Sequence, residues 1–392
     1  MVATCLLVAG CGDTALSLGP PVPGTVRIVT SLPSRGPDAA QAHLMREAVD
    51  LAIRRYGQPL PGLKVEHVAL DASAGESGEW SRATEARSAA AAVADASVLA
   101  YIGPYTSGAT AVSLPVTNKA GLLQLAPSAT WPGLSHAGYD PGEPQKYSPA
   151  GVNNFVRLMP DDEQQGAAAV DWCNAVGCRS VFVLDDGSTY STGLARSFTA
   201  AARGRNINIS GFASLSAQSL NGIAGAAHSS GADALFYAPS SASQAVAAAR
   251  ALSSLILRAG LFSTDTALDA SFLDSAAGSA ASWHIVHNGV SDPSQLPAAR
   301  SFVSEFTSVY TERPSQFAYN SYLATWLALE ALQHAGKPDR SRVLVQANTL
   351  VRAGGGGTIL FDPSGEVAEW TMTGYRIGSG SFLLDRLLSH AP

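Results

Sequence analysis

From Val98 to Pro132 the chain runs through strand, loop, helix, strand and loop, and few folds accept that order. Val98–Ile102 is an unbroken apolar run, as a strand covered on both faces requires. It stops at Gly103-Pro104, and Ser107 offers an N-cap to a helix beginning at Gly108. A second apolar strand over residues 122–126 ends in Pro127-Ser128-Ala129-Thr130. Two adjacent parallel strands would deliver Ser107, Ser128 and Thr130 to one edge of the sheet, which in open α/β sheets is where ligands bind. Free amides at a helix start, with hydroxyls beside them, make a small site for a carboxylate. No nucleophile with a base beside it stands in these loops, so the expectation is binding rather than catalysis.

The same alternation governs most of the chain. Strands are expected over residues 26–31 and 64–70, with helices over 38–56 and 80–96 and a turn-rich loop over 32–37. Residues 135–154 break the rhythm and mark a candidate crossing between lobes. Alternation restarts with helices over 161–176, 188–203, 220–230 and 241–255, and strands over 180–184, 208–213, 234–237 and 259–262. Residues 283–287 are expected to carry the chain back to the first lobe. Three helices follow over 297–311, 316–335 and 340–352, then short antiparallel strands over 358–361, 369–376 and 382–384. Gly354 to Gly357 reads as a turn; it does not match a phosphate-binding loop. The fold expected is α/β: two doubly wound αβα lobes with parallel sheets, joined by a hinge. Residues 25–155 and 288–368 would form lobe 1, and 156–287 and 369–392 lobe 2.

A chain of 392 residues has room for two lobes, and 46% hydrophobic with 14% charged residues is globular rather than disordered. With a net charge of −6 and scattered basic residues, nucleic acid is not expected as a partner. The eight histidines stand singly, without the spacings of metal sites, and no G-x-S-x-G elbow occurs. No metal, cofactor or enzymatic activity is expected.

Residues 1–10 are apolar and uncharged, and Leu7-Val8-Ala9-Gly10-Cys11 resembles a bacterial lipobox, in which Cys11 would become the lipidated first residue. The segment is too short to span a bilayer. It lacks the usual basic start, which a misassigned start codon would explain; an apolar start with an incidental Cys is the alternative. Residues 12–24, rich in Gly, Pro and Ser, suit a tether. Cys5 would leave with the signal, so Cys173 and Cys178 remain. A local disulfide and two reduced, packed cysteines are both open, because spacing does not give Cβ geometry.

Three motifs carry a resemblance over nearly the whole mature chain. Ile102-Gly103-Pro104 followed by Thr106-Ser107-Gly108-Ala109-Thr110, then Ala126-Pro127-Ser128-Ala129-Thr130, is similar to the leucine/isoleucine/valine-binding proteins, the type I periplasmic binding proteins serving ABC importers. The likeness continues through Leu184-Asp185-Asp186-Gly187-Ser188-Thr189-Tyr190-Ser191-Thr192-Gly193-Leu194-Ala195 and resumes at Phe361-Asp362-Pro363-Ser364-Gly365.

The resemblance implies that the Ser107 hydroxyl and amide bind a ligand carboxylate and that the Ser128 carbonyl receives its ammonium. Thr130 would hold both groups, with Ala129 beside it. Tyr190 would close over the ligand from the second lobe, and Asp265 would pair with the α-ammonium, which a closed cleft cannot leave uncompensated. The first loop, Leu32-Pro33-Ser34-Arg35-Gly36, departs from the family's form. Ser240 stands where a second aromatic is common, Trp131 adds bulk beside the clamp, and Phe317 or Tyr319 would line the pocket from lobe 1. The function implied is a monomeric, lipid-anchored binder of an amino acid, branched-chain or related, that delivers its ligand to permease subunits. A binder of aromatic acids, amides or other small carboxylates is the alternative within the fold, and an extracytoplasmic sensor the alternative outside transport.

Overall fold

The computed structural model describes residues 16–20, 22–215, 220–276, 282–353, 361, 366–368 and 370–390. The signal segment 1–10, Cys11, part of the tether, the turn at 354–357, most of the strand expected over 358–361 and the motif residues 362–365 lie outside the described residues.

The first half builds β1 (Thr25–Leu32), α1 (Ala39–Tyr56), β2 (Lys64–Asp71), α2 (Arg82–Ala94), β3 (Val98–Ile102), α3 (Ser107–Lys119), β4 (Leu123–Ala126) and β5 (Phe155–Arg157). These strands form one parallel sheet in the order β2-β1-β3-β4-β5. Every residue of β3 and β4 is buried, as their unbroken apolar runs require. Strand β5 is absent from the sequence reading because three residues are too few to show a period.

The second series is α4 (Asp162–Ala175), β6 (Ser180–Asp185), α5 (Thr189–Gly204), β7 (Asn208–Ser214), α6 (Leu220–Ser229), β8 (Ala234–Tyr237), α7 (Ala242–Ala251), β9 (Gly260–Thr264), α8 (Ala270–Ala276) and β10 (Trp283–His287). Helices α9 (Arg300–Tyr310), α10 (Gln316–Ala335) and α11 (Arg340–Arg352) return to the first sheet, and β11 (Trp370–Gly378) and β12 (Ser381–His390) close the second. That sheet has the order β12-β11-β10-β9-β8-β6-β7, antiparallel only at the β10–β11 and β11–β12 pairs. Strand β10, expected to lead back to the first lobe, instead pairs in parallel with β9 through Trp283 and Leu261. All five of its residues are buried, so it is a covered strand of the second sheet, and the chain leaves that sheet only after His287.

Each sheet has its own core. Helices α10 and α11 cover one face of the first sheet, where Leu327, Leu329 and Leu332 join Ile28, Ile102 and Leu125. Helix α10 is buried over most of its circumference because its opposite side receives α1 and α9 around Phe302, Tyr319 and Tyr322. In the second lobe Trp172, Phe198 and Phe262 pack on one face of the sheet and Phe272, Trp283 and Leu261 on the other. Each such side chain contributes about 1.5–3 kcal/mol through burial. A disulfide joins Cys173 to Cys178, from the last turn of α4 to the turn entering β6.

A ligand cavity between the two lobes

The carboxyl ends of β1, β3 and β4 face those of β6, β8 and β9 across a cavity of about 270 Å³. Besides α1, three helices begin at its wall. Each is capped by a hydroxyl: Thr106 Oγ1 accepts from Ala109 N (3.2 Å) on α3, Ser188 Oγ from Ser191 N (3.1 Å) on α5, and Ser241 Oγ from Gln244 N (3.3 Å) on α7. The remaining first-turn amides have no partner within their helices, which makes the wall receptive to negative charge.

Six of the residues singled out from sequence line this cavity: Ser107, Ser128, Tyr190, Ser240, Asp265 and Phe317. Ser128 Oγ donates to the Tyr105 carbonyl (2.7 Å), tying together the loops after β3 and β4. Asp265 follows β9, and its Oδ1 accepts from Gln165 Nε2 (2.7 Å) and from the Tyr190 hydroxyl (3.3 Å). Gln165 also donates to the Val286 carbonyl (3.0 Å), so the carboxylate is braced from α4 while Oδ2 stays unbonded. Burial and then the charge of Asp265 hold the Tyr190 phenol well above its ordinary pKa, so it remains a neutral donor. Ser240 N donates to Asp186 Oδ2 (2.8 Å), which fixes the small-residue loop after β8.

Four of the expected lining residues are elsewhere. Thr130 is buried beneath the cavity wall, and its amide, like that of Trp131, donates to Ser107 Oγ at 3.1 and 3.2 Å. The Ser107 oxygen thus fastens one loop to the next while its own proton has no acceptor among the described residues at the cavity it lines, and Thr106 rather than Ser107 caps α3. Ala129 is fully buried, with its carbonyl accepting from Arg157 Nη1 (3.2 Å). Trp131 donates from Nε1 to Glu143 Oε1 (3.1 Å) and stacks edge-on against Tyr139, away from the cavity. Tyr319 lies two residues from Phe317, about 200° around the helix, and packs against Phe302 instead.

The sequence reading missed other lining residues. Asp38 stands immediately before α1, but its side chain makes no cap hydrogen bond and faces the cavity. Burial, and then the charge of Glu79, raise its pKa to about 6. Glu79 and Trp80 come from the loop after β2. That loop and the loop after β1 touch through Gly36 (φ +83°) and Gly78 (φ +70°), where a Cβ on either would fall within 2.7 Å of the other's backbone. Tyr105 meets Phe317 edge-on at 5.8 Å. Asp38 carries no signal of this in the sequence, because it stands where the helix expected over 38–56 begins, an ordinary place for an acidic residue.

The lobes are in contact around the cavity. Helix α5 of the second lobe lays Gly193 against the Trp131 ring, and Arg196 stands 5.7 Å over that ring while its Nη1 bonds Asp140 Oδ1 (2.7 Å). Among the described residues, two side-chain groups bring metal-ligand atoms within 4.8 Å, His43–Glu47–Glu312 and His136–Asp161–Glu163, and neither lines the cavity. No described helix is long and apolar enough to cross a membrane.

Two sheets of this topology, wound in series and closing on a small cavity, make the two-lobed architecture of type I solute-binding proteins. A family model for periplasmic binding proteins matches residues 25–381, and the chain belongs to that family. Solved structures share the fold. A leucine-binding protein from Thermotoga maritima matches with a TM-score of 0.76 at 21% identity, covering 93% of this chain and 98% of that one. A branched-chain amino acid transporter substrate-binding protein from Streptococcus pneumoniae, in complex with isoleucine, has a TM-score of 0.73 at 20% identity, covering 94% and 100%. A solute-binding protein from Rhodopseudomonas palustris BisB5, in complex with 3,4-dihydroxybenzoic acid, has a TM-score of 0.71 at 17% identity, covering 93% and 98%. No curated protein matches the chain significantly.

Proposed function

We propose that this protein captures an α-amino acid in the cavity between its lobes and delivers it to the permease of an ABC importer. The observation that carries this reading is the pairing of the α3 start, at Ser107 and Gly108, with Asp265 across a single cavity. Amides at the first wall suit a carboxylate, and the unbonded Oδ2 of Asp265 at the second suits an ammonium. Each lobe holds one half of the recognition, so a ligand touching both favours the closed arrangement by its differential contacts. Ser107 Oγ, held by the Thr130 and Trp131 amides, keeps its own proton to donate to that carboxylate, in keeping with the role its motif implies. Cys11 would anchor the protein to the outer face of the cell membrane, with the residues up to 24 as a tether, and the two lobes would work as a monomer.

A second reading is an aromatic acid, favoured by Trp80, Tyr105, Tyr190 and Phe317 around the cavity. The separating experiment is calorimetric titration of protein lacking residues 1–24, refolded from denaturant to strip bound ligand. Amino acids are compared with their ammonium-free analogues, and wild type with Asp265→Asn. Amino-acid binding that is lost in the variant and absent for the analogue supports amino-acid capture; binding indifferent to both selects the aromatic acid.

A further inference from the structure

The cavity carries more negative charge than a neutral amino acid would answer. Asp265 serves one ammonium, yet Asp38 and Glu79 also line the same space from the first lobe. Among the described residues, no Lys, Arg or His lines it. Among the described residues, neither Asp38 nor Glu79 has a side-chain hydrogen-bond or ion-pair partner. The cations nearest in sequence are committed elsewhere: Arg46 to the Leu32 and Pro33 carbonyls, and Arg35 to the Gly75 carbonyl.

We infer that the ligand bears a second positive charge in addition to its α-ammonium, so that the substrate class is a diamino or guanidino acid. The inference rests on the reading of the cavity as an amino-acid site and specifies its side-chain end. The cavity and the family locate the ligand; the acids set its charge.

Three physical arguments support it. Asp38, half-buried beside the charge of the exposed Glu79, is costly to ionise in the empty protein, and a bound cation removes that cost. Asp38 and Glu79 are placed together by the Gly36–Gly78 contact, a tight backbone approach that only glycines allow. Tyr105 lines the cavity together with both acidic ends, and burial and then the charges of Asp38 and Asp265 raise its phenol pKa. Its ring and those of Phe317 and Trp80 line the cavity, and a cation over an aromatic face is stabilised. The bland account of Asp38, a helix cap, fails because its carboxylate caps nothing.

The test is titration of the stripped protein with lysine, ornithine and arginine against norleucine, which keeps the lysine carbon chain and lacks its terminal ammonium. The expected result is at least tenfold tighter binding of one cationic ligand than of norleucine. That preference falls at least tenfold in Asp38→Asn and by a smaller factor in Glu79→Gln, while norleucine affinity holds. Ligand-free thermal midpoints of both variants, equal to or above wild type, exclude misfolding as the cause. Norleucine binding as well as the cationic ligands overturns the charge inference and leaves amino-acid capture intact. Equal losses for both ligand types in Asp38→Asn also overturn it. Failure of every amino acid, with benzoate binding retained, overturns this inference and the proposed function together.

Discussion

Gly193 of the second lobe lies so close to Trp131 of the first that a Cβ on it would stand 2.4 Å from Cε3 and 2.6 Å from Cζ3. The Trp131 ring cannot retreat: Glu143 holds its Nε1, and Tyr139 packs on its edge. Closure of the lobes therefore depends on a missing side chain. Gly193→Val is expected to hold the lobes apart and lower ligand affinity at least tenfold without unfolding either core. Titration reads the affinity, and small-angle scattering reads the larger radius of gyration.

Ser107→Ala removes the acceptor shared by the Thr130 and Trp131 amides. Two amides left without a partner in a buried loop cost about 1–3 kcal/mol each. Urea denaturation of the ligand-free variant should show that loss. If the hydroxyl served the ligand alone, stability would be nearly unchanged and only affinity would fall.

Stability should decrease as pH rises from 7 to 9. Glu85 is fully buried, accepting from the Ser31 and Tyr101 hydroxyls, and burial raises its pKa to about 7. Burial likewise raises that of Asp162 to about 8. The folded protein thus binds protons that the unfolded chain, with ordinary carboxylates, has already released. The stabilisation is complete below the ordinary carboxylate range and falls as pH rises toward 7 for Glu85 and 8 for Asp162, at about 1.4 kcal/mol per pH unit for each group, flattening above pH 8. His284, held neutral by burial at a pKa of about 4, opposes this trend only below pH 7. Chemical denaturation at pH 7 and 9 checks the slope, and Glu85→Gln should flatten its lower part.

Removing the Cys173–Cys178 bond by double substitution to Ala should cost about 2 kcal/mol, the loop entropy of a short closure. The thermal midpoint should fall by a few degrees with ligand affinity unchanged, because the bond lies at the far end of α4 from Gln165 and Asp265.

The α/β alternation, the two sheets and the loops that meet at the cavity were legible in the sequence, because a strand buried on both faces and a capped helix each leave a local signature. Strand β3, helix α3 and helix α11 could be read from apolar runs and caps alone. Strand β5 was too short to announce itself, and β10 carried no local mark of which sheet it would join. Site residues followed the same division. Ser128 and Asp265 sit just past strand ends and Tyr190 in the first turn of α5, where topology sends them to the cavity. Whether Thr130 faces a ligand or bonds to Ser107, and whether Phe317 or Tyr319 reaches the cavity, depends on a loop conformation and on which side of α10 meets α1. Asp38 and Glu79 are forty-one positions apart in the chain. Their meeting, and with it the charge of the cavity, was decided only when two glycines let the loops after β1 and β2 touch.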